Sequence, residues 1–245
     1  AALGNPGWSY EEVLPYFRRS EDQARGADPW HGTGGELGVA DIDAPHPIAE
    51  AFIAAGAQQG IPRNADFNGE RQEGVGYFQA TARKGLRCSA AVAFLRPARG
   101  RTNLDVRTGA HVLRISFEGR RATGVVYRQG GAERKAFARR EVLVSAGAIQ
   151  SPQLLELSGV GDAGRLQALG IPVVSDLPAV GENLQDHLQS RLIYRTREKI
   201  TVNDDLQSLP RKVAMVWKFA FGRRGPLGWL AGIAGGFART SADLA

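Results

Sequence analysis

The chain has 245 residues, 43% of them apolar, enough to build a packed core in one large or two modest domains. Its formal net charge of +6 comes from scattered arginines and pairs such as Arg18-Arg19 and Arg223-Arg224, with acids nearby. No basic run is interleaved with aromatics, so the composition argues against nucleic-acid binding and stays compatible with an anionic ligand.

A single cysteine, Cys88, excludes an intrachain disulfide and reads as a small core residue. The four histidines are too dispersed for a zinc-type cluster, so no metal site is expected. The apolar stretches over 213–221 and 227–237 fall short of the 18 or so residues that a transmembrane helix needs.

From the start of the chain, Ser9-Tyr10-Glu11-Glu12 has the capping-box spacing and opens a helix with Val13, Leu14 and Phe17 on one face. Pro15 is expected to end it after about two turns. Pro47 at a helix start and Gly60 as terminator predict a helix over 47–59, and a shorter one over 89–95 is expected to stop before Pro97.

Alternating runs over 104–108, 111–115, 122–128 and 133–138, separated by Gly119 and Gly130-Gly131, read as strands joined by turns. A more apolar strand over 141–145 follows. After it comes a short helix capped by Ser151, begun by Pro152 and stopped by Gly159. Further elements are a helix over 163–169, a strand over 171–174, a strand over 188–196, and a helix over 206–221 capped by Asp204 or Asp205. The expected class is mixed α/β without internal repeats.

Gly159-Val160-Gly161-Asp162-Ala163-Gly164 spells G-x-G-x-x-G, with Asp176 downstream. A nicotinamide dehydrogenase could be built on such a loop. The glycines, however, follow a predicted helix, whereas a phosphate loop has to lie between a strand and a helix so that helix-start amides meet the pyrophosphate.

The run 147–161, Gly-Ala-Ile-Gln-Ser-Pro-Gln-Leu-Leu-Glu-Leu-Ser-Gly-Val-Gly, resembles a signature of the glucose-methanol-choline (GMC) oxidoreductases. Further blocks agree in the same order: Gly4-Asn5-Pro6-Gly7-Trp8, Asp66-Phe67-Asn68-Gly69, Gly74-Val75-Gly76, Gly85-Leu86-Arg87-Cys88-Ser89, Asn103-Leu104-Asp105-Val106, and the segment from Gly181 to His187. The choline dehydrogenase-like branch looks nearest.

The resemblance implies an FAD-binding Rossmann-like domain, incomplete here, interleaved with a substrate domain built on an antiparallel sheet. On that pattern 1–29 is a linking segment, 30–81 and 186–245 belong to the substrate domain, and 82–185 to the flavin domain. It also implies hydride transfer from the CH–OH group of a small alcohol, choline or another primary alcohol, to FAD.

The implied flavin contacts are Val112, through its backbone, and Ser145, Ala146 and Gly147 at a strand end where small side chains let a nucleotide approach. No catalytic role falls on His31, His46, His111 or His187. The family's pyrophosphate loop and catalytic histidine are expected outside these 245 residues, making the chain an internal, inactive piece. Asn183, Asp186 and His187 form a polar loop cluster, Trp229 and Phe237 read as apolar core or as a substrate-cavity wall, and Arg87 and Ser89 serve a turn and a helix start. A non-catalytic small-molecule module derived from the same family is the other reading.

Overall fold

A computed structural model describes residues 4–42, 45–228 and 232–241. The chain divides into two compact units, Ala1–Leu104 with Ile193–Ala245, and Asp105–Leu192. Residues 82–104, assigned from the family pattern to the flavin domain, pack within the first unit.

The first unit opens with α1 (Tyr10–Ser20). Ser9 Oγ accepts the Glu12 amide at 3.3 Å and the Glu12 carboxylate accepts the Ser9 amide at 2.9 Å, closing the capping box. Pro15 does not stop the helix after two turns: it sits at mid-helix, removes one interior backbone donor, and the helix runs on to Ser20. The expected apolar face is not buried, and Phe17 is 67% exposed.

Strand β1 (Glu21–Gln23) pairs in parallel with β2 (Leu37–Val39). The loop between them folds back under α1 at Gly32, where a Cβ would lie 1.8 Å from the Arg18 carbonyl oxygen. Helix α2 (Pro47–Gln58) forms as the sequence indicates, with Pro47 in its first turn and the His46 ring accepting the Ile48 amide. It packs on β3 (Gly74–Tyr77), where Gly56 leaves room for Val75.

A tight hairpin joins β4 (Ala82–Arg83) to β5 (Leu86–Arg87). A π turn over Ala91–Leu95 then continues into α3 (Arg96–Ala98), so the helical stretch runs through Pro97 instead of ending before it. The core of this unit gathers Ile53, Phe67, Val75, Ala80, Cys88 and Ala93, and the lone cysteine is 2% exposed, as its core reading requires.

The second unit is a three-stranded antiparallel sheet of β6 (His111–Glu118), β7 (Arg121–Gln129) and β8 (Ala132–Phe137), in that order. Gly119 and Gly130-Gly131 make its turns with positive φ. The stretch 104–108 is not a strand, and 141–145 runs without a ladder partner among the described residues, leaving Leu143 81% exposed.

Helix α4 (Gly147–Leu157) begins five residues earlier than its Ser-Pro signal suggests. Gly147, with φ +89°, makes the turn into it, and Ser151 Oγ accepts the Ala146 amide at 3.0 Å instead of capping a helix start. Then β9 (Val160–Gly161) pairs in parallel with β10 (Ser175–Asp176), flanking α5 (Ala163–Ala168). Residues 188–196 form no strand. Leu188 is fully exposed and Tyr194 82% exposed, so the alternating pattern there finds no neighbouring strand among the described residues.

Returning to the first unit, the single helix expected over 206–221 is two. Helix α6 (Val202–Gln207) is capped by Thr201 rather than by an aspartate, and α7 (Leu209–Gly222) restarts at Ser208 with Pro210 in its first turn. Strand β11 (Ala234–Phe237) pairs antiparallel with β3. It brings Phe237 onto Phe67, with ring centroids 5.2 Å apart.

Candidate functional site

Ser145, Ala146 and Gly147 lie together where the extended 141–145 segment turns into α4, and all three are exposed. Small side chains and a positive-φ glycine leave the backbone at this corner open, and a Cβ on Gly147 would meet nothing within 4 Å. The first amides of an eleven-residue helix emerge there and favour negative charge.

Val112 sits near the start of β6, an edge strand, and is 37% exposed. The register of β6 on β7 shifts between Val112 and Arg114, a bulge that re-aims the local backbone. Helix α4 packs along β6, so the elements carrying Val112 and the 145–147 corner are neighbours. Ser158 ties them: its Oγ accepts the Ile115 amide at 2.8 Å and donates to the Leu154 carbonyl at 2.5 Å.

The G-x-G-x-x-G segment is used differently. Gly159 closes α4 with φ +86°. At the start of α5, the Asp162 carboxylate accepts the Arg165 amide at 2.7 Å and Asp176 accepts the Ala163 amide at 3.1 Å. Two carboxylates of the chain itself occupy the donors that a pyrophosphate would need.

Arg165 joins three segments. It donates to Glu156 on α4 at 2.5 Å, to Glu182 at 2.9 Å and to the Val180 carbonyl at 3.2 Å. Asn183, Asp186 and His187 downstream are exposed, and the local bond is from the His187 amide to Asp186 at 2.8 Å, so they are not gathered into a site. Of the proposed cavity-wall pair, Trp229 lies outside the described residues and Phe237 joins the Phe67–Phe78 cluster.

Little in the sequence pointed to the ionic group around His31. This residue is 4% exposed; Nδ1 meets Glu21 at 3.0 Å and Nε2 meets Asp66 at 2.9 Å. Burial alone would lower its pKa, but the bonds and charges of Glu21 and Asp66 outweigh that and raise it above the ordinary histidine value. Carboxylates facing both ring nitrogens favour the protonated ring, whose two N–H groups donate to them. Asp28 Oδ1 accepts the Trp30 and His31 amides at 2.8 and 2.7 Å. The Asp28, His31 and Asp66 donor atoms lie within 4.8 Å of one another, the spacing of a cation site, yet each is already engaged.

The GMC oxidoreductase family matches residues 1–189. The chain belongs to the GMC oxidoreductase family. It is 45% identical over 220 residues to the mitochondrial choline dehydrogenase of Homo sapiens, covering 88% of this chain and 37% of that protein. Among solved structures it is similar to a pyridoxine 4-oxidase from Mesorbium loti, at 39% identity and TM-score 0.70 over 75% of this chain and 36% of the other. It is also similar to an FAD-dependent oxidoreductase from Chaetomium thermophilum, at 26% identity and TM-score 0.80 over 93% and 42%.

The chain thus spans well under half the length of these GMC relatives. Its mixed helices and antiparallel sheets are the GMC architecture, and the match carries the run 147–161 on an observed turn and helix.

Proposed function

We propose that the chain is part of an FAD-dependent oxidoreductase that oxidises the CH–OH group of a small alcohol, choline or another primary alcohol. The observation that carries this reading is the open corner at Ser145, Ala146 and Gly147, set at the start of α4 beside edge strand β6 in a GMC chain. Small residues, a positive-φ glycine and unblocked helix-start amides suit close approach of a phosphate-bearing nucleotide. Val112 on β6 would contribute a backbone contact.

In this reading 82–185 frames the flavin, 30–81 and 186–245 form the substrate side, and 1–29 links them. When bound, FAD accepts the hydride of the carbinol carbon. The chain's own residues at this corner orient the cofactor; the alcohol's proton needs a base. Among the histidines, His31 is held between two carboxylates and His46 accepts a backbone amide at the start of α2, so neither is available as that base.

The test is FAD binding by the purified chain, read from quenching of flavin fluorescence, for the parent sequence and Gly147→Val. Binding weakened at least about tenfold in the variant, with unchanged far-UV circular dichroism, is expected. Equal binding, or none by the folded parent sequence, overturns the assignment. Adding choline or another primary alcohol to the FAD-loaded chain should leave the flavin oxidised; bleaching would show that these residues contain a working base.

A further inference from the structure

Strand β6 turns part of its backbone away from its own sheet. The Thr123 carbonyl accepts the Ala138 amide at 2.8 Å, so the alternate residues Thr123, Val125 and Tyr127 of β7 turn their backbone groups toward β8. Their register partners on β6, Ile115 and Val112, therefore turn N–H and C=O to the outer side of the edge. Ile115 uses its amide there on Ser158. Val112 presents the same two groups side by side, on the strand along which α4 packs.

That end of β6 has little ladder to hold it. The bulge between Val112 and Arg114 separates two pairs, His111 with Arg128 and Val112 with Tyr127, from the rest of the ladder. Among the described residues β6 has β7 as its one neighbour in the sheet. An edge-strand end cut off in this way frays unless side chains fix it.

Two side chains of β7 do so, by gripping the segment that leads into β6. Arg107 donates to the phenol oxygen of buried Tyr127, and Gln129 Nε2 donates to the Thr108 carbonyl at 2.9 Å. Asp105 aims the guanidinium, accepting from its Nε at 2.8 Å. Gly109, with φ +64°, then turns the chain into the strand. Tyr127 and Gln129 are two apart on β7 and share a face, and Tyr127 stands directly opposite Val112.

We infer that Arg107 is a positioning residue for the cofactor: bonded to Tyr127, it fixes the start of β6 so that the Val112 backbone meets the nucleotide already in place. This rests on the flavin reading. Arg107 acts through Tyr127, and a strand end ordered before binding spares the ligand the cost of ordering it, so the effect is on affinity.

Hydrogen exchange of the purified chain reads the strand end without any cofactor. In Arg107→Met the His111 and Arg128 amides should exchange at least about fivefold faster than in the parent, while the Val126 amide, beyond the bulge, keeps its rate. FAD affinity, from quenching of flavin fluorescence, reads the consequence. Arg107→Met should bind at least about fivefold more weakly, Tyr127→Phe about as weakly, and the double variant no more weakly than either, since the two residues make one bond. Arg107→Lys, which keeps donors for Tyr127 and Asp105, should recover most of the loss.

Unchanged exchange at His111 and Arg128, or no recovery in Arg107→Lys, overturns the inference. So does an Arg107→Met chain that is less stable to urea yet binds FAD as the parent does while Gly147→Val does not; the flavin reading then stands. A folded parent chain that binds no FAD overturns the flavin reading and this inference with it.

Discussion

Ser158 Oγ accepts the Ile115 amide at 2.8 Å, joining the end of α4 to edge strand β6, and both residues are buried. The serine thereby satisfies a backbone donor that the sheet leaves unpaired on the outer side of its edge, and it holds the helix on the strand. Ser158→Ala strands that amide, at a cost of about 1–3 kcal/mol. Thermal or urea unfolding of the variant should show the loss, whereas Ser158→Thr should recover part of it. A variant as stable as the parent would mean that water replaces the hydroxyl.

The Glu21–His31–Asp66 group sets a pH dependence. The folded state binds the His31 proton more tightly than the unfolded chain, because its pKa is raised. That stabilisation is complete below about pH 6.5, the ordinary histidine value, and is lost as pH rises through the folded value. Asp41 has the opposite sign: burial works to raise its pKa, but Arg25 and Gln79 lower it, so its contribution holds above the ordinary aspartate value and fades in acid. Melting temperature should therefore decline from mildly acidic to alkaline pH. His31→Leu should flatten the alkaline decline and cost about 3 kcal/mol by leaving two carboxylates without their cation.

Arg165 predicts a local effect. Its guanidinium is substantially exposed, so Arg165→Met should change global stability little. The loop it holds should loosen: exchange of the Val180 and Glu182 amides, bonded to Leu177 and Ala179, should speed up several-fold by hydrogen exchange. Uniform acceleration across the whole chain would instead mark Arg165 as a determinant of the global fold.

Gly32→Ala should be more damaging than any of these. The added Cβ would meet the Arg18 carbonyl oxygen at 1.8 Å, and backbone at the end of α1 cannot swing aside as a side chain can. A loss of about 3 kcal/mol or more, read as a large drop in the urea midpoint, is expected. Gly34→Ala serves as a control of different origin: nothing lies near its Cβ position, but its φ of +79° carries strain of about 1–2 kcal/mol.

The sequence by itself determined the family, the mixed α/β class, and those elements whose signals are local. The capping box at Ser9 and Glu12, the Pro47 helix start and the glycine turns of the β6–β8 sheet are satisfied within a few residues, so no distant contact can easily override them. It also showed the small residues Ser145, Ala146 and Gly147 between the run 141–145 and a helix, and the structure has a turn there, with φ +89° at Gly147.

Tertiary structure decided the rest. The strands expected over 141–145 and 188–196 need a neighbour to hydrogen-bond, and none lies beside them among the described residues. Pro15 and Pro97 bend to the helices around them, since one missing amide costs less than the turns that follow provide. His31 was visible as a loop residue, but its two carboxylate partners lie 10 residues before and 35 residues after it, and only the folded chain brings them to its ring. The bond between Arg107 and Tyr127 was equally out of reach: 20 residues separate the two, and only the pairing of β6 with β7 brings them together.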